Sequence, residues 1–199
     1  VPPPDRDRVG SELAALASLT DASAKGRRLE VLIRSIFAQV PGLSLEDQDV
    51  VNAWGTQEMD LYFFNARERE GLHFLDCPLI VECKGWSAPV DGRELRWFAD
   101  MLRDKGRRDG IFIALNGLTG RAQRRTAGFY HVTRALADGQ LVLVLTGEDL
   151  VKAGDSAGLV ALLRRRMLDQ VKGQVLALEA AESPRPPRPP RRRKPAAPS

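Results

Sequence analysis

Apolar residues first recur at helical spacing in Leu29, Leu32, Ile33, Ile36, Phe37 and Val40, which predicts a helix with one apolar face that Pro41-Gly42 ends. Glu30 stands about 100° around from Leu29, at the edge of that stripe, where it follows the core boundary or turns into solvent. After Gly42 the pattern changes to that of strands. Asp49–Ala53 and Met59–Phe64 flank a turn containing Gly55, and Asn65–Gly71 is a polar turn before Leu72, so an antiparallel meander is expected. Leu79-Ile80-Val81 is a short apolar run, as in a strand buried on both faces, yet it ends in Glu82-Cys83-Lys84-Gly85.

Asp91 followed by Glu94 has the spacing of a capping box, and Leu95, Phe98 and Leu102 mark the inward face of a helix that Gly106 ends. Ile111–Leu115 and Leu141–Leu145 are two further apolar strands. Between them Thr119 is expected to cap a helix reaching Ala137, with Ala122, Phe129, Val132 and Leu136 inward and Arg124, His131 and Arg134 outward. Leu159, Leu162, Leu163 and Met167 predict a last helix. A meander followed by strand-helix-strand crossovers gives an α/β three-layer sandwich, a mixed central sheet flanked by helices.

Composition limits what such a domain can be. Of 199 residues, 43% are hydrophobic and 28% charged, enough for a packed core. No apolar run reaches the roughly 20 residues that span a bilayer, and Val1–Arg8 is Pro-rich and charged, unlike the apolar region of a signal peptide. Cys77 and Cys83 are too few for a disulfide framework and lack partners at zinc-ligand spacing. A cytoplasmic protein is expected. Residues 1–8 read as a disordered N-terminal segment, 9–180 as one folded domain, and 181–199 as a disordered Pro/Arg-rich tail. That tail holds Arg185, Arg188, Arg191, Arg192, Arg193 and Lys194, more than the whole net charge of +4, so residues 1–183 carry −2. Surplus positive charge is therefore local, and the tail is suited to contact a phosphate backbone.

Strand alternation puts Glu82 and Lys84 on one face and Cys83 on the other. If the strands of Asp60 and Glu82 pair, both carboxylates lie near one end of the sheet with the Lys84 ammonium beside them. This mixture suits phosphodiester hydrolysis. Asp60, Glu82 and the Cys83 carbonyl are hard oxygen donors for Mg²⁺ that leave water and substrate positions open, and Lys84 can orient the attacking water or neutralise developing charge. Glu30 could reach a ligand water. From spacing alone, a structural ion pair of Lys84 with Glu82 or Asp60 stands beside this reading. Glu58 shares the strand parity of Asp60 and has either a metal-assisting or a solvated role. Lys105, Arg107 and Arg108 suit a helix C-terminus or a phosphate contact equally. Trp54, Trp86 and Trp97 fit packing positions, with Trp86 near enough to Lys84 to touch substrate.

Three segments together carry a family resemblance: Gly26-Arg27-Arg28-Leu29-Glu30 opening a helix, Gln57-Glu58-Met59-Asp60-Leu61, and Ile80-Val81-Glu82-Cys83-Lys84-Gly85-Trp86. With the helix from Pro89-Val90 to Phe98, Gly110-Ile111-Phe112-Ile113 and Gly117-Leu118-Thr119, the chain over about 25–150 resembles the PD-(D/E)xK nuclease superfamily, most of all its Mrr-like restriction endonuclease branch. The resemblance implies a restriction-endonuclease-like fold and a Mg²⁺-dependent DNA endonuclease of bacterial defence, with Mn²⁺ as a substitute ion. It further implies Asp60 and Glu82 as metal ligands, Lys84 as the catalytic lysine and Glu30 as an auxiliary acid. Some Mrr-like members have Gln where Glu82 stands. No second DNA-reading domain is legible here, so a homodimer or a partner recognition subunit is expected to supply what one site lacks. A repair or junction-resolving nuclease, or a non-catalytic nucleic-acid-binding protein with a vestigial site, are the rival readings.

Overall fold

In the computed structural model, residues 6–51, 58–120 and 128–172 are described, the side chains of 50, 51, 58 and 59 excepted. The elements run α1 (Arg6–Ala17), α2 (Ala22–Phe37), β1 (Leu43–Val51), β2 (Glu58–Asn65), β3 (Leu79–Lys84), α3 (Gly92–Asp104), β4 (Asp109–Ala114), α4 (Gly128–Ala137), β5 (Leu141–Leu145), α5 (Gly147–Ala153) and α6 (Ser156–Val171). The five strands form one sheet in chain order. β1, β2 and β3 are antiparallel, whereas β3, β4 and β5 are parallel, joined by crossovers through α3 and α4.

Alternation along the strands divides the core into two layers. Val81, Cys83, Ile111, Ile113, Leu143 and Leu145 face one side, where they pack with Leu29, Ile33 and Phe37 of α2 and Leu159 and Leu163 of α6. Ile80, Phe112, Ala114, Val142 and Val144 face the other, under Leu95, Phe98 and Leu102 of α3 and Phe129 and Val132 of α4. Helices on both faces explain the apolar runs Leu79–Val81 in β3, Ile111–Ala114 in β4 and Leu141–Leu145 in β5. α3 lies so close to β4 that a methyl group at Gly110 would sit 2.8 Å from Phe98 Cζ and 2.9 Å from Leu102 Cδ2, so a larger residue there would force those side chains to shift.

Two expectations need correction. Arg6, Asp7 and Arg8 were assigned to an unstructured segment but are helical, because Val9 and Leu16 of α1 are buried in the core. β1 starts at Leu43, six residues before the expected Asp49; over residues 43–49 only Leu43 is buried and Leu45 half-buried, and the strand is bulged between Leu45 and Asp47, an alternation too weak to read. Of the helix expected from Thr119 to Ala137, the described residues show Gly128–Ala137; Thr119 N donates to Val90 O at 2.9 Å and its carbonyl accepts from Gly128 N at 3.0 Å, and residues 121–127 lie outside the described set. The short α5 was not predicted, although Thr146 and Asp149 form a reciprocal capping box at its start. The predicted turn at Gly55, with Asn52, Ala53 and Trp54, as well as Ala122, Arg124 and the tail, lie outside the described residues.

The outer edge of β5 is covered. Arg166 and Gln170, one helical turn apart on α6, donate to the carbonyls of Val144 (2.7 Å) and Val142 (2.9 Å), two residues apart on the strand. A rise of about 6 Å per four helical residues matches about 6.6 Å per two strand residues, so a straight helix can satisfy both acceptors. Arg166 also meets Asp149 at 2.5 Å, which supplies the charge its burial requires.

Candidate active site

The antiparallel register Leu61↔Val81, Tyr62↔Ile80 and Phe63↔Leu79 joins β2 to β3. Continued by one pair, it sets Asp60 opposite Glu82. There the strand pair is closed by a side chain: Asp60 Oδ2 accepts a 2.6 Å hydrogen bond from the amide of Cys83. On the other flank, Leu115 N donates to Lys84 O at 3.1 Å. Successive residues of a strand point their polar groups to alternate sides, so the Cys83 carbonyl, like its amide, faces β2 and Asp60.

Glu82 and Lys84 lie on the α3 side of the sheet. Lys84 Nζ is 2.7 Å from Glu82 Oε1 and 3.7 Å from Glu94 Oε2, and it stands 5.8 Å from the centre of the Trp97 ring. Glu82 is 1% exposed, and its second oxygen, Oε2, is buried with no hydrogen-bond partner. An ionised carboxylate in that position is costly, so burial, reinforced by the charge of Asp60, pushes Glu82 up to about 7 against the pull of Lys84. Burial works against the Lys84 ammonium, but Glu82, with Asp60 and Glu94, outweighs it and holds Lys84 above its ordinary value.

Cys83 points the opposite way, into the α2 layer. Burial, and then the charges of Asp60, Glu82 and Glu30, raise its thiol well above the ordinary range, so it stays protonated. Glu30 is half-buried on α2 and belongs to this opposite layer. The structure thus brings Asp60, Glu82 and Lys84 together on one side of the strand end and sets Glu30 on the other.

Two residues of the cluster were missed from sequence. Asp91 caps α3 as its spacing implies, accepting from Arg93 N at 2.8 Å, but Glu94, the other half of the expected capping box, faces Lys84. Trp97, read as packing, flanks the same lysine. Their spacing of three on α3 is the signal that both share the face turned to β3. Arg107 and Arg108 lie at the far end of the sheet, where Arg107 Nη1 donates to Cys77 O at 2.8 Å and Arg108 pairs with Asp76 at 3.5 Å. The side chain of Glu58 is outside the described set. His131 lines a groove of about 390 Å³ between α3 and α4 with Tyr130, Arg96, Arg103 and Arg134; those arginines are paired with Asp100 and Asp138, apart from the carboxylate cluster.

Among the described residues no three or more His, Cys, Asp and Glu side chains are grouped so as to hold a metal ion. The donors present are two carboxylates and a backbone carbonyl. They fit a hard divalent cation in one specific respect: Glu82 Oε2 is a buried oxygen without a protein partner, in a place where burial and the charge of Asp60 raise the proton affinity of Glu82.

The model of the restriction endonuclease family Mrr_cat matches residues 22–152, from the first residue of α2 into α5. The chain belongs to that family, a class of nucleases with the restriction-endonuclease-like α/β fold, as its motifs implied. No curated protein matches the sequence. No described helix is long and apolar enough to cross a membrane.

Proposed function

We propose that this chain is a metal-dependent endonuclease that hydrolyses DNA phosphodiester bonds, acting in bacterial restriction or defence in the cytoplasm, with Mg²⁺ as its ion and Mn²⁺ as a substitute. The observation that carries this reading is the partnerless buried oxygen of Glu82, set against Asp60 and beside Lys84 in a member of a restriction endonuclease family. Asp60, Glu82 and the Cys83 carbonyl would hold the ion, which when bound would polarise the phosphoryl oxygen and supply an activated water. Lys84 does its part as a fixed cation: confined between Glu82 and Glu94, it meets the negative charge that grows on the phosphate in the transition state without having to reorganise. Glu30 acts from the α2 side as a proton acceptor for water at the strand end. The six cations of residues 184–199 add affinity for phosphate that carries no sequence information. A second copy or a recognition subunit completes double-strand cleavage.

Incubating the full chain with supercoiled, linear, methylated and branched DNA in Mg²⁺, Mn²⁺ or chelator tests this directly. Nicking with either ion and none in chelator is the expected result. Cleavage confined to branched DNA would favour a junction-resolving role, and no cleavage under any condition would favour a non-catalytic nucleic-acid-binding protein.

A further inference from the structure

The inward stripe of α2 begins one turn earlier than its leucines and isoleucines. Lys25, four residues before Leu29, lies on the same face and is 5% exposed, a lysine where the stripe calls for an apolar residue. Its stem packs on the chain just after Lys84, since a methyl group at Gly85 would lie 3.6 Å from Lys25 Cγ and 3.5 Å from Leu29. Its ammonium donates to Ser87 Oγ at 3.1 Å, and no described ion pair includes it.

Two further features make the placement unusual. Lys25, Arg27 and Arg28 all stand in the first two turns of α2, so their charges add to the positive end of the helix dipole, which the N-cap carboxylate of Asp21, bonded to Ser23 N at 2.9 Å, partly offsets. Arg28 has Glu12 at 3.0 Å and Arg27 has the Ser23 hydroxyl, but Lys25, the most deeply buried of the three, faces only the hydroxyl of exposed Ser87. A buried ammonium without a counter-ion costs stability, and that cost is recovered when an anion arrives from outside.

We propose that Lys25 and Ser87 form a contact for one backbone phosphate of the DNA strand beside the cleaved bond. This rests on the nuclease reading above and extends it, by naming where the substrate strand is gripped. Ser87 is three residues past Lys84, at most about 10 Å of chain, which corresponds to about three nucleotides at 3.4 Å of axial rise each. Lys25 supplies charge through a short, pre-ordered stem, and Ser87, on the open side, donates its hydroxyl to a phosphate oxygen while Lys25 holds the other lone pair. The contact is to the backbone and so is indifferent to base sequence.

Duplex DNA binding by the full chain, measured by fluorescence anisotropy in chelator across a salt series, isolates this contact from cleavage. Lys25→Met is expected to lower the slope of log affinity against log salt by about 1, so that the parental protein loses about 3.5-fold more affinity than the variant for a fourfold rise in salt. The melting temperature of the DNA-free variant should hold or rise, because a buried unpaired charge has been removed. In plasmid nicking, KM should rise with kcat retained. If Lys25→Met does not fold, Ser87→Asp decides, because it sits on the surface and offers Lys25 a carboxylate in place of the phosphate; its slope should fall by about 1 or more. An unchanged slope in the folded variant overturns the proposal. The nuclease reading fails separately, through cleavage in chelator or normal nicking by Lys84→Ala.

Discussion

Asp60 Oδ2 accepts a 2.6 Å hydrogen bond from the Cys83 amide, so the carboxylate that faces Glu82 also fastens β2 to β3 at the end of their pairing. Under the proposed mechanism this one side chain would have two separable duties. Its hydrogen bond needs an acceptor oxygen, whereas holding a cation would need the charge.

Asp60→Asn keeps an acceptor for the amide and removes a charge that opposes Glu82, so its metal-free melting temperature should equal or exceed that of the parent while cleavage is lost. Asp60→Ala removes the acceptor as well and should be less stable than the Asn variant by about 1 to 3 kcal/mol, the cost of leaving a buried amide donor unsatisfied. Chemical denaturation of both variants, with plasmid nicking alongside, checks the pair. Equal stability of the two would deny Asp60 its role in strand closure.

Glu94 holds Lys84 from the α3 side across 3.7 Å, in a partly exposed pair, so its effect is graded. Glu94→Gln should slow nicking by less than about tenfold, in keeping with the 0 to 1 kcal/mol of a solvent-screened ion pair. Glu94→Lys puts a like charge beside the ammonium and should abolish it. Both variants should fold, since Asp91 caps α3 independently. Full activity in Glu94→Lys would remove Glu94 from the site.

At the opposite end of the sheet, Asp109 accepts from Asp76 N with both carboxylate oxygens, each at 3.0 Å. Burial, with the charge of Asp76 added, pushes it up to about 6 from 3.8, despite the Asp76 amide and the nearby charges of Arg108 and Arg67. Its folded-state value lies above its unfolded one, so between about pH 4 and 6 the folded chain binds more protons, and this contribution to stability falls as pH rises through that window. Asp109→Asn cannot ionise and still offers one acceptor oxygen. Relative to the parent it should gain up to roughly 2 to 3 kcal/mol between pH 4 and pH 8, read from urea midpoints at each pH. A stability difference independent of pH would contradict the account.

Legibility followed the number of faces each element buries. α2, α3, β3, β4 and β5 carry apolar runs or stripes where they meet a layer, so their patterns are plain in the sequence; α1 buries only Val9 and Leu16, and over residues 43–49 β1 buries only Leu43, so both are missed or shortened. At the site, Glu82 and Lys84 were legible because charges ending an apolar strand contradict their surroundings, and Asp60 through the expected pairing of its strand. Glu94 escaped because capping spacing already explained it, and Lys25 because a lysine before a leucine stripe reads as its solvated end. Both depend on which side of a helix meets the end of β3, a tertiary fact that spacing alone leaves open.

The central claim is that Glu82 and Lys84, 2.7 Å apart, have different duties toward the same ion. Glu82→Ala removes a ligand and should weaken Mg²⁺ or Mn²⁺ binding and end cleavage. Lys84→Ala removes no ligand and frees Glu82 Oε1, so it should bind the ion as well as or more tightly than the parent and yet lose cleavage by about 10²-fold or more. Calorimetric titration of each ion into the two folded variants, with plasmid nicking on the same samples, is the most direct measurement: opposite effects on ion affinity with a shared loss of nicking are predicted, and parental nicking by Lys84→Ala, or undiminished ion binding by Glu82→Ala, would contradict the mechanism.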